Sequence, residues 1–187
     1  MPESKLKAEE RRLDILRNAA RTFAIYGLNG VSMKEIAHAC RVNEALLYQH
    51  FSSKEELFRE VINGIGEEID GSLREIADSQ PDGYSALLEV VKSLVYGRTE
   101  DIHVYAFIIH GMTASARHDD LRGLVGMGFA KLNKLFTELM NRGIEDGSLK
   151  PDLDISRCSW CIRSRGLAFR IMNSLITEGK SSAENAP

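Results

Sequence analysis

The sequence contains few of the residues that interrupt helices or build sheets. Four of its 187 residues are proline, and β-branched residues rarely alternate with polar ones, as they do in half-buried strands. Leucine, isoleucine, alanine, glutamate, arginine and lysine dominate instead, and this composition favours helices. We therefore expect an all-α protein.

Long hydrophobic runs are also missing. The longest, Val104–Ile109, is far shorter than the roughly 20 residues that span a bilayer. The first residues are charged and no apolar stretch follows them, which argues against a signal peptide. Three cysteines, an odd number, argue against a disulfide framework. We expect a cytoplasmic protein with no membrane partner.

The chain has no excess of basic residues. Its net charge is −3, which argues weakly against a nucleic-acid-binding protein, because DNA phosphates attract positive surfaces. Residues 1–63 carry ten lysines and arginines against nine aspartates and glutamates, whereas the remainder is net negative. Any DNA-binding part therefore lies in the first third, where its positive face depends on the arrangement of charges.

Hydrophobic periodicity and capping residues predict eight helices. Their predicted bounds are about 7–26, 33–40, 44–50, 54–78, 84–97, 101–116, 119–143 and 155–177. Ser32 with Glu35, and Ser53 with Glu56, have the spacing of capping boxes, and Asn43 is a suitable N-cap for the third helix. The clearest break in the chain is at 80–83, which reads Gln-Pro-Asp-Gly.

Glycines fall inside two of the long predicted helices. Those at 64, 66 and 71 weaken the fourth helix. Those at 123, 126 and 128 match neither a dinucleotide-binding motif nor a P-loop. We expect this second group to let helices approach one another closely.

The second and third predicted helices are short and are joined by about three residues. Ala37, Val42 and Leu47 are the apolar residues at their crossing. This is the pattern of a helix-turn-helix, in which the second helix presents its N-terminal residues to the bases and the first crosses the DNA backbone. The alternative is an ordinary helical hairpin within a bundle.

Residues 31–57 resemble the DNA-binding domain of TetR-family (tetracycline-repressor-like) transcriptional regulators. The residues that carry the resemblance are, in order, Ile36-Ala37, Val42, Leu47-Tyr48, His50-Phe51, Lys54 and Leu57. It extends over about residues 10–60, whereas the rest of the chain is similar to the family only in layout. The resemblance implies an all-α fold with a three-helix helix-turn-helix DNA-binding domain at 1–53 and a helical ligand-binding and dimerisation domain at 54–178. We expect a flexible tail at 179–187.

The resemblance also implies which residues contact DNA. Phosphates would be contacted by Ser32, Tyr48 and Lys54, bases would be faced by Asn43, Glu44, Ala45 and Gln49, and His50 would lie near the DNA backbone. Lys34 and Arg41 complete the predicted DNA-binding set. Apart from the resemblance, Tyr48 could be a core residue and Lys54 an ordinary solvated lysine.

Several of these positions depart from the family pattern. Many members have glycine where Arg41 stands, a lysine or arginine where Glu44 stands, and glycine-threonine where Ala45-Leu46 stand. Arg41 either adopts an unusual turn conformation or replaces a lost phosphate contact. Glu44 either stabilises the start of a short helix through the helix dipole, by about 0.3–1 kcal/mol, or accepts a hydrogen bond from cytosine N4 in the major groove.

The function that the resemblance implies is sequence-specific transcriptional regulation, as a repressor, without enzymatic activity or a cofactor. The partners would be a pseudo-palindromic double-stranded DNA operator, a second copy bound through the last two long helices, and a small-molecule effector. The predicted ligand-binding residues are Tyr96, Tyr105, Phe107, Met112, Trp160, Arg165 and Phe169. Arg165 has apolar neighbours, so we expect it to be buried against an acid or a polar effector.

Other motifs are weaker. Cys158 and Cys161 form a C-x-x-C within a helix, where the two cysteines either pack against another helix or act as a thiol sensor. His103 and His110 share a helix face but lack the further ligands that a metal site needs. No arrangement of catalytic residues is recognisable. The alternative function is that of a helical dimeric scaffold or small-molecule-binding protein with degenerate DNA binding.

Overall fold

The computed structural model describes residues 3–96, 102–116 and 118–184. Over these residues the chain is helical and contains no strand, which confirms the predicted all-α class. The helices are α1 (Glu3–Tyr26), α2 (Met33–Ala39), α3 (Glu44–His50), α4 (Lys54–Asp78), α5 (Gly83–Tyr96), α6 (Ile102–Ser115), α7 (Asp119–Glu145) and α8 (Ile155–Glu184).

Most helix bounds agree with those predicted from the sequence to within a few residues. The exception is the last helix, because α8 continues to Glu184, which corrects its predicted end at Thr177. Much of the added segment consists of residues that are compatible with helix, such as Lys180 and Ala183, and no proline occurs between 152 and 186. The predicted flexible tail is therefore helical as far as Glu184, and 185–187 lie outside the described residues.

Over the described residues the chain divides into two compact units. The first comprises Met1–Glu68 and His103–Met127, and the second comprises Ile69–Ile102 and Gly128–Pro187. The first unit therefore contains α1–α3, the first half of α4, most of α6 and the start of α7. This packing division differs from the boundary at residue 53 that the sequence predicts for the DNA-binding domain.

Three phenylalanines form the centre of the first unit. Phe58 of α4 lies between Phe23 of α1 and Phe107 of α6, with ring centroids 4.9 Å apart in both pairs. All three rings are buried, and aromatic pairs of this kind contribute about 0.5–1.5 kcal/mol each beyond the burial of their area. Phe107, a predicted ligand-binding residue, thus packs in the core that supports the helix-turn-helix.

The second unit has a separate core in which α7 contributes Leu135, Phe136, Leu139 and Met140. Its packing is tight where α5 begins, because a Cβ on Gly83 would lie 2.1 Å from the backbone nitrogen of Gly143. Any residue other than glycine at position 83 would force these helices apart.

The glycines inside α4 and α7 have no comparable role. A Cβ built at 64, 66, 71, 123, 126 or 128 would meet no atom within 4 Å in the described chain. The expectation that the α7 glycines permit close helix packing is therefore wrong for the single chain. The sequence pattern indicated small residues on a helix, but it could not show whether a neighbouring helix faces them.

None of the described helices is both long enough and apolar enough to cross a membrane.

Candidate DNA-binding interface

The start of α2 is held by a reciprocal set of hydrogen bonds between Ser32 and Glu35. The Ser32 Oγ accepts from the Glu35 backbone N–H at 3.3 Å, and the Glu35 carboxylate accepts from the Ser32 N–H and Oγ–H, each at 2.7 Å. This confirms the predicted capping box. The hydrogen bonds from the Ser32 side chain and backbone hold the pKa of Glu35 below its usual value.

The turn between α2 and α3 has a left-handed residue. Arg41 has a φ of +56°, and the next residue closes the turn with a hydrogen bond from the Val42 N–H to the Ala37 carbonyl at 3.0 Å. Non-glycine residues rarely adopt this conformation because the Cβ crowds the following carbonyl. The predicted unusual turn conformation at Arg41 is therefore observed, and its side chain is exposed.

The recognition helix α3 begins as predicted. The Asn43 Oδ1 accepts from the Leu46 N–H at 2.7 Å, which caps the helix. Leu47 is fully buried, and Phe51, just after the helix, is buried with it. Because these residues hold one side of α3 in the core, the opposite side faces outward, where Asn43, Glu44, Ala45, Tyr48 and Gln49 are exposed.

The start of α4 differs in part from the prediction. The Ser53 Oγ accepts from the Glu56 N–H at 3.1 Å, as in a capping box. The Glu56 carboxylate, however, accepts from the Ser52 N–H at 2.6 Å and from the Ser52 hydroxyl, not from Ser53. These bonds, the side-chain one foremost, lower the pKa of Glu56.

Lys54 connects the start of α4 to the segment that precedes α2. Its Nζ donates to the Val31 carbonyl oxygen at 2.9 Å, and the side chain is half-buried. An ammonium has three N–H donors, so this bond orients the group and leaves further donors for an anion. The interpretation of Lys54 as an ordinary solvated lysine therefore does not describe its environment.

Five of the predicted DNA-binding residues line one surface depression of about 390 Å³. They are Ser32, Lys34, Glu44, Tyr48 and Lys54, and the rest of the lining is Met33, Ser52, Ser53 and Glu55. Hydroxyl and ammonium donors are the groups that bind phosphate oxygens on DNA. Tyr48 is half-exposed, so it is not a core residue. The sequence pattern missed the hydroxyls of Ser52 and Ser53 as lining groups, although the capping pattern already marked Ser53 as the start of a helix.

His50 is half-buried at the end of α3, with its ring centroid 6.2 Å from that of Phe51. It therefore packs partly against the core while keeping an open edge near the end of the recognition helix.

The predicted ligand-binding residues are distributed over both units. Phe107 and Met112 belong to the first, whereas Tyr96, Trp160, Arg165 and Phe169 belong to the second, and the side chain of Tyr105 lies outside the described residues. Arg165 is exposed, so the expectation that it is buried is wrong for the single chain. Its apolar neighbours Trp160 and Phe169 are themselves exposed, and apolar neighbours in sequence therefore did not mean burial.

Cys158 and one histidine have packing roles. Cys158 packs against the core of the second unit, and both it and Cys161 are half-buried free thiols. The His110 ring lies close to Gly27 at the end of α1, where a Cβ would come within 2.9 Å of the His110 Nδ1. Together with its φ of +67°, this contact explains glycine at position 27.

Comparison with known proteins identifies the family. Residues 15–61 match the family model described as bacterial regulatory proteins, tetR family. The HTH-type transcriptional repressor KstR2 of Rhodococcus jostii is 31% identical over 170 residues, which cover 87% of this chain and 74% of that protein.

Solved structures show the same fold. The ketosteroid transcriptional regulator KstR2 of Mycobacterium tuberculosis aligns with a TM-score of 0.64 and 25% identity over 86% of this chain and 81% of its own. The fatty acid degradation regulator FadR of Bacillus halodurans aligns with a TM-score of 0.78 over 91% and 86%, at 18% identity. The chain belongs to the TetR family of DNA-binding transcriptional regulators, which are not enzymes.

Proposed function

We propose that the chain represses transcription by binding a pseudo-palindromic operator as a homodimer, and that a small-molecule effector releases it. The observation that carries the proposal is the exposed face of α3 beside a depression whose lining includes hydroxyl and ammonium groups together with the carboxylates of Glu44 and Glu55. The relative from R. jostii is a transcriptional repressor, which favours repression over activation.

In this proposal the phosphates bind around the depression. Lys34 and Lys54 supply positive charge, while Ser32 and Tyr48 supply hydroxyl donors. The bond from Lys54 to the Val31 carbonyl reduces the number of conformations that the lysine loses on binding DNA, which favours affinity. Arg41 extends the positive surface to the turn before α3.

Base recognition would come from Asn43, Glu44, Ala45 and Gln49 on the exposed side of α3. A glutamine side chain can make two hydrogen bonds to adenine in the major groove, and the alanine methyl can contact that of thymine. Glu44 lies in the first turn of α3, where a carboxylate interacts favourably with the helix dipole. In the base-contact alternative it accepts a hydrogen bond from cytosine N4. Because it repels phosphate, we expect modest affinity for non-specific DNA.

The dimer would form through the last two long helices. On α8, Phe169 and Met172 lie three residues apart on one face and are 40% and 63% exposed in the single chain, whereas Trp160, 65% exposed, lies on a different face. Exposed large apolar side chains that share a helix face are typical of a protein–protein interface. A two-fold dimer would then present its two recognition helices to two half-sites.

For the effector, ketosteroids are the first class of molecule to test, because one solved relative is a ketosteroid transcriptional regulator. A coupling of about 1–3 kcal/mol between effector and operator would lower DNA affinity by roughly 5–150-fold. Tyr96, Met112, Trp160, Arg165 and Phe169 remain candidates for effector contact.

The test is selection of binding sites from random-sequence duplexes with the purified chain, followed by binding measurements on the recovered site. We expect a pseudo-palindrome, and we expect Tyr48→Ala and Lys34→Ala each to weaken binding at least about tenfold. Matched controls are Tyr84→Ala, which is as exposed as Tyr48, and the exposed Lys150→Ala. Equal effects of the site and control variants would contradict the proposed interface.

A second selection with Glu44→Ala and Glu44→Gln separates the two roles of Glu44. If the carboxylate contacts a base, Glu44→Ala loses the preference for cytosine at one position of each half-site, whereas Glu44→Gln retains part of it through its amide oxygen, which still accepts a hydrogen bond. If it only stabilises the start of α3, the recovered sequence stays the same and only the stability of the chain falls.

A further inference from the structure

We propose that Arg12 is a positioning residue for operator recognition, which fixes the end of α3 so that the exposed side chains of that helix reach the bases. The inference rests on the proposed function, because it concerns how α3 is presented to operator DNA. Arg12 lies on α1 and precedes residues 15–61, the part of the chain that the family model matches. It is also outside the set of residues that the sequence predicts to contact DNA.

The Arg12 guanidinium contacts both sides of the turn between α3 and α4. One of its N–H groups donates to the Glu60 carboxylate of α4, with 2.8 Å between Nη2 and Oε2. Its Cζ lies over the Phe51 ring, 5.3 Å from the centroid. A guanidinium is planar, so it can stack on a ring while its N–H groups point sideways to a carboxylate. Arg12 thus joins α1 to the residue that ends α3 and to α4.

The charge of Arg12 also acts on the turn itself. The Glu56 carboxylate, one helical turn before Glu60 on α4, accepts hydrogen bonds from the N–H and the hydroxyl of Ser52. These bonds are the main cause of the lowered pKa of Glu56, and the positive charges of Arg59 and Arg12 add to the lowering. Arg12 therefore stabilises the carboxylate that closes the turn after α3.

The end of α3 has two anchors in the core. One of its seven residues, Leu47, is fully buried. Phe51, the C-cap residue, is 1% exposed and donates its N–H to the Leu47 carbonyl at 2.9 Å. When either anchor of so short a helix shifts, the displacement reaches every side chain on the exposed face. Arg12, which lies over the Phe51 ring, therefore controls the orientation of that face.

Base contacts are more sensitive to such a shift than phosphate contacts. A side chain such as Gln49 makes two hydrogen bonds to a base edge in one orientation, and hydrogen bonds weaken steeply when they are misaligned. A lysine such as Lys34, by contrast, has a flexible stem and can follow a displaced phosphate. Loss of Arg12 should therefore reduce discrimination between operator and other DNA more than it reduces affinity for DNA in general.

The first experiment measures the ratio of the affinities for the selected operator and for a scrambled duplex at one salt concentration. We expect Arg12→Met to lower this ratio at least about tenfold. The ratio does not depend on the fraction of folded chain, because unfolded chain lowers both affinities equally. An unchanged ratio would overturn the proposal. So would a salt slope that is smaller by about 2 in the variant, because Arg12 would then contact a phosphate itself.

Arg12→Lys and Glu60→Gln test the two contacts of the guanidinium separately. Lysine keeps the positive charge and can pair with Glu60, but it has no planar group to stack on Phe51. Glutamine keeps the shape of Glu60 without its charge. We expect each variant to have a ratio between those of the wild type and Arg12→Met. If both keep the wild-type ratio, the two contacts do not position α3 and the proposal is overturned.

The matched control is Arg17→Met. Arg17 also lies on α1, pairs with Asp14 of the same helix at 4.0 Å and has a side chain that is 77% exposed. The substitution removes the same charge, so it should lower both affinities by a similar factor and leave their ratio unchanged. An equal change of the ratio in Arg12→Met and Arg17→Met would overturn the proposal, because the effect would then come from net charge.

Hydrogen–deuterium exchange on the free full-length chain tests the positioning without DNA. In Arg12→Met we expect the backbone amides of Phe51 and Ser52 to exchange at least about tenfold faster than in the wild type. The amide of Cys40, at the end of α2, should keep its wild-type rate. Unchanged rates at Phe51 and Ser52 would overturn the proposal, as would equal acceleration at all three amides, because Arg12 would then stabilise the fold as a whole. If the wild-type chain selects no operator, the proposed function fails, whereas the exchange result still decides whether Arg12 holds the end of α3.

Discussion

Arg41 has a φ of +56° and is the one non-glycine residue in the described chain with a positive value. A non-glycine residue in this conformation costs about 1–2 kcal/mol, whereas glycine loses about 0.5–1 kcal/mol more conformational entropy on folding. Replacing Arg41 by glycine should therefore raise the free energy of unfolding by about 0.5–1 kcal/mol. The side chain is exposed, so its removal should cost little stability.

Arg41→Ala separates the backbone from the guanidinium. Alanine keeps the left-handed conformation but has no charge, so its stability should stay within about 0.5 kcal/mol of the wild type. If the guanidinium contacts a phosphate, both variants weaken DNA binding equally. The slope of log K against log salt concentration then falls by about 2 for a dimer, since each phosphate contact contributes about 0.9.

Urea unfolding followed by circular dichroism gives the stabilities, and fluorescence anisotropy with a labelled operator gives the salt slopes. If Arg41→Gly is no more stable than Arg41→Ala, the strain argument is refuted. If both variants bind DNA with the wild-type slope, Arg41 makes no phosphate contact and its charge has no part in recognition.

Three further predictions concern the first unit. Phe58→Ala should lower the free energy of unfolding by about 3–5 kcal/mol, because Phe58 is fully buried between two other rings. A loss of less than about 1 kcal/mol, measured by urea unfolding, would contradict this packing. The folded pKa values of Glu35 and Glu56 are below 4.5, so these groups stabilise the chain above pH 4.5 and their contribution is lost as the pH falls through the lowered values. Acid titration followed by circular dichroism should show a weaker pH dependence in Glu35→Gln with Glu56→Gln, and an unchanged dependence would contradict the assignment. Burial raises the pKa of Cys40 from 9.0 to about 11. Because only the thiolate reacts, iodoacetamide at pH 8 should modify Cys40 about 100-fold more slowly than a free thiol. If mass spectrometry finds Cys40 modified as fast as a free thiol, the thiol is not buried.

Local hydrogen bonds were the part of the structure most predictable from the sequence. The two capping pairs, Ser32 with Glu35 and Asn43 with Leu46, are each separated by three positions. The geometry of one helical turn therefore determines whether the members of a pair meet. Glu56 shows the limit of such reasoning, because Ser52 and Ser53 both lie within its reach and the observed partner is Ser52. The conformation of the preceding turn decides between them, and that conformation depends on the packing of Phe51.

Tertiary properties were less predictable. The apolar neighbours of Arg165 suggested burial, yet α8 leaves Trp160 exposed on the single chain, because a helix with several apolar faces can direct one of them away from its own core. Phe107 is a predicted ligand-binding residue, and its buried ring packs on Phe58. Hydrophobicity alone does not distinguish a core residue from one that faces a ligand or a second copy, since all three are apolar.

The measurement that tests the central claim most directly is the affinity of the chain for its selected operator between 50 and 200 mM salt. Lys34, Arg41 and Lys54 would place about six cations on phosphates in a dimer, so the slope of log K against log salt should be about −5 and the affinity should fall about 1000-fold. Two chains should bind each duplex, and scrambling one half-site should abolish the tight complex. Binding that is independent of salt, or no binding at 50 mM, would contradict the assignment of α3 and the adjoining depression as a DNA-binding interface.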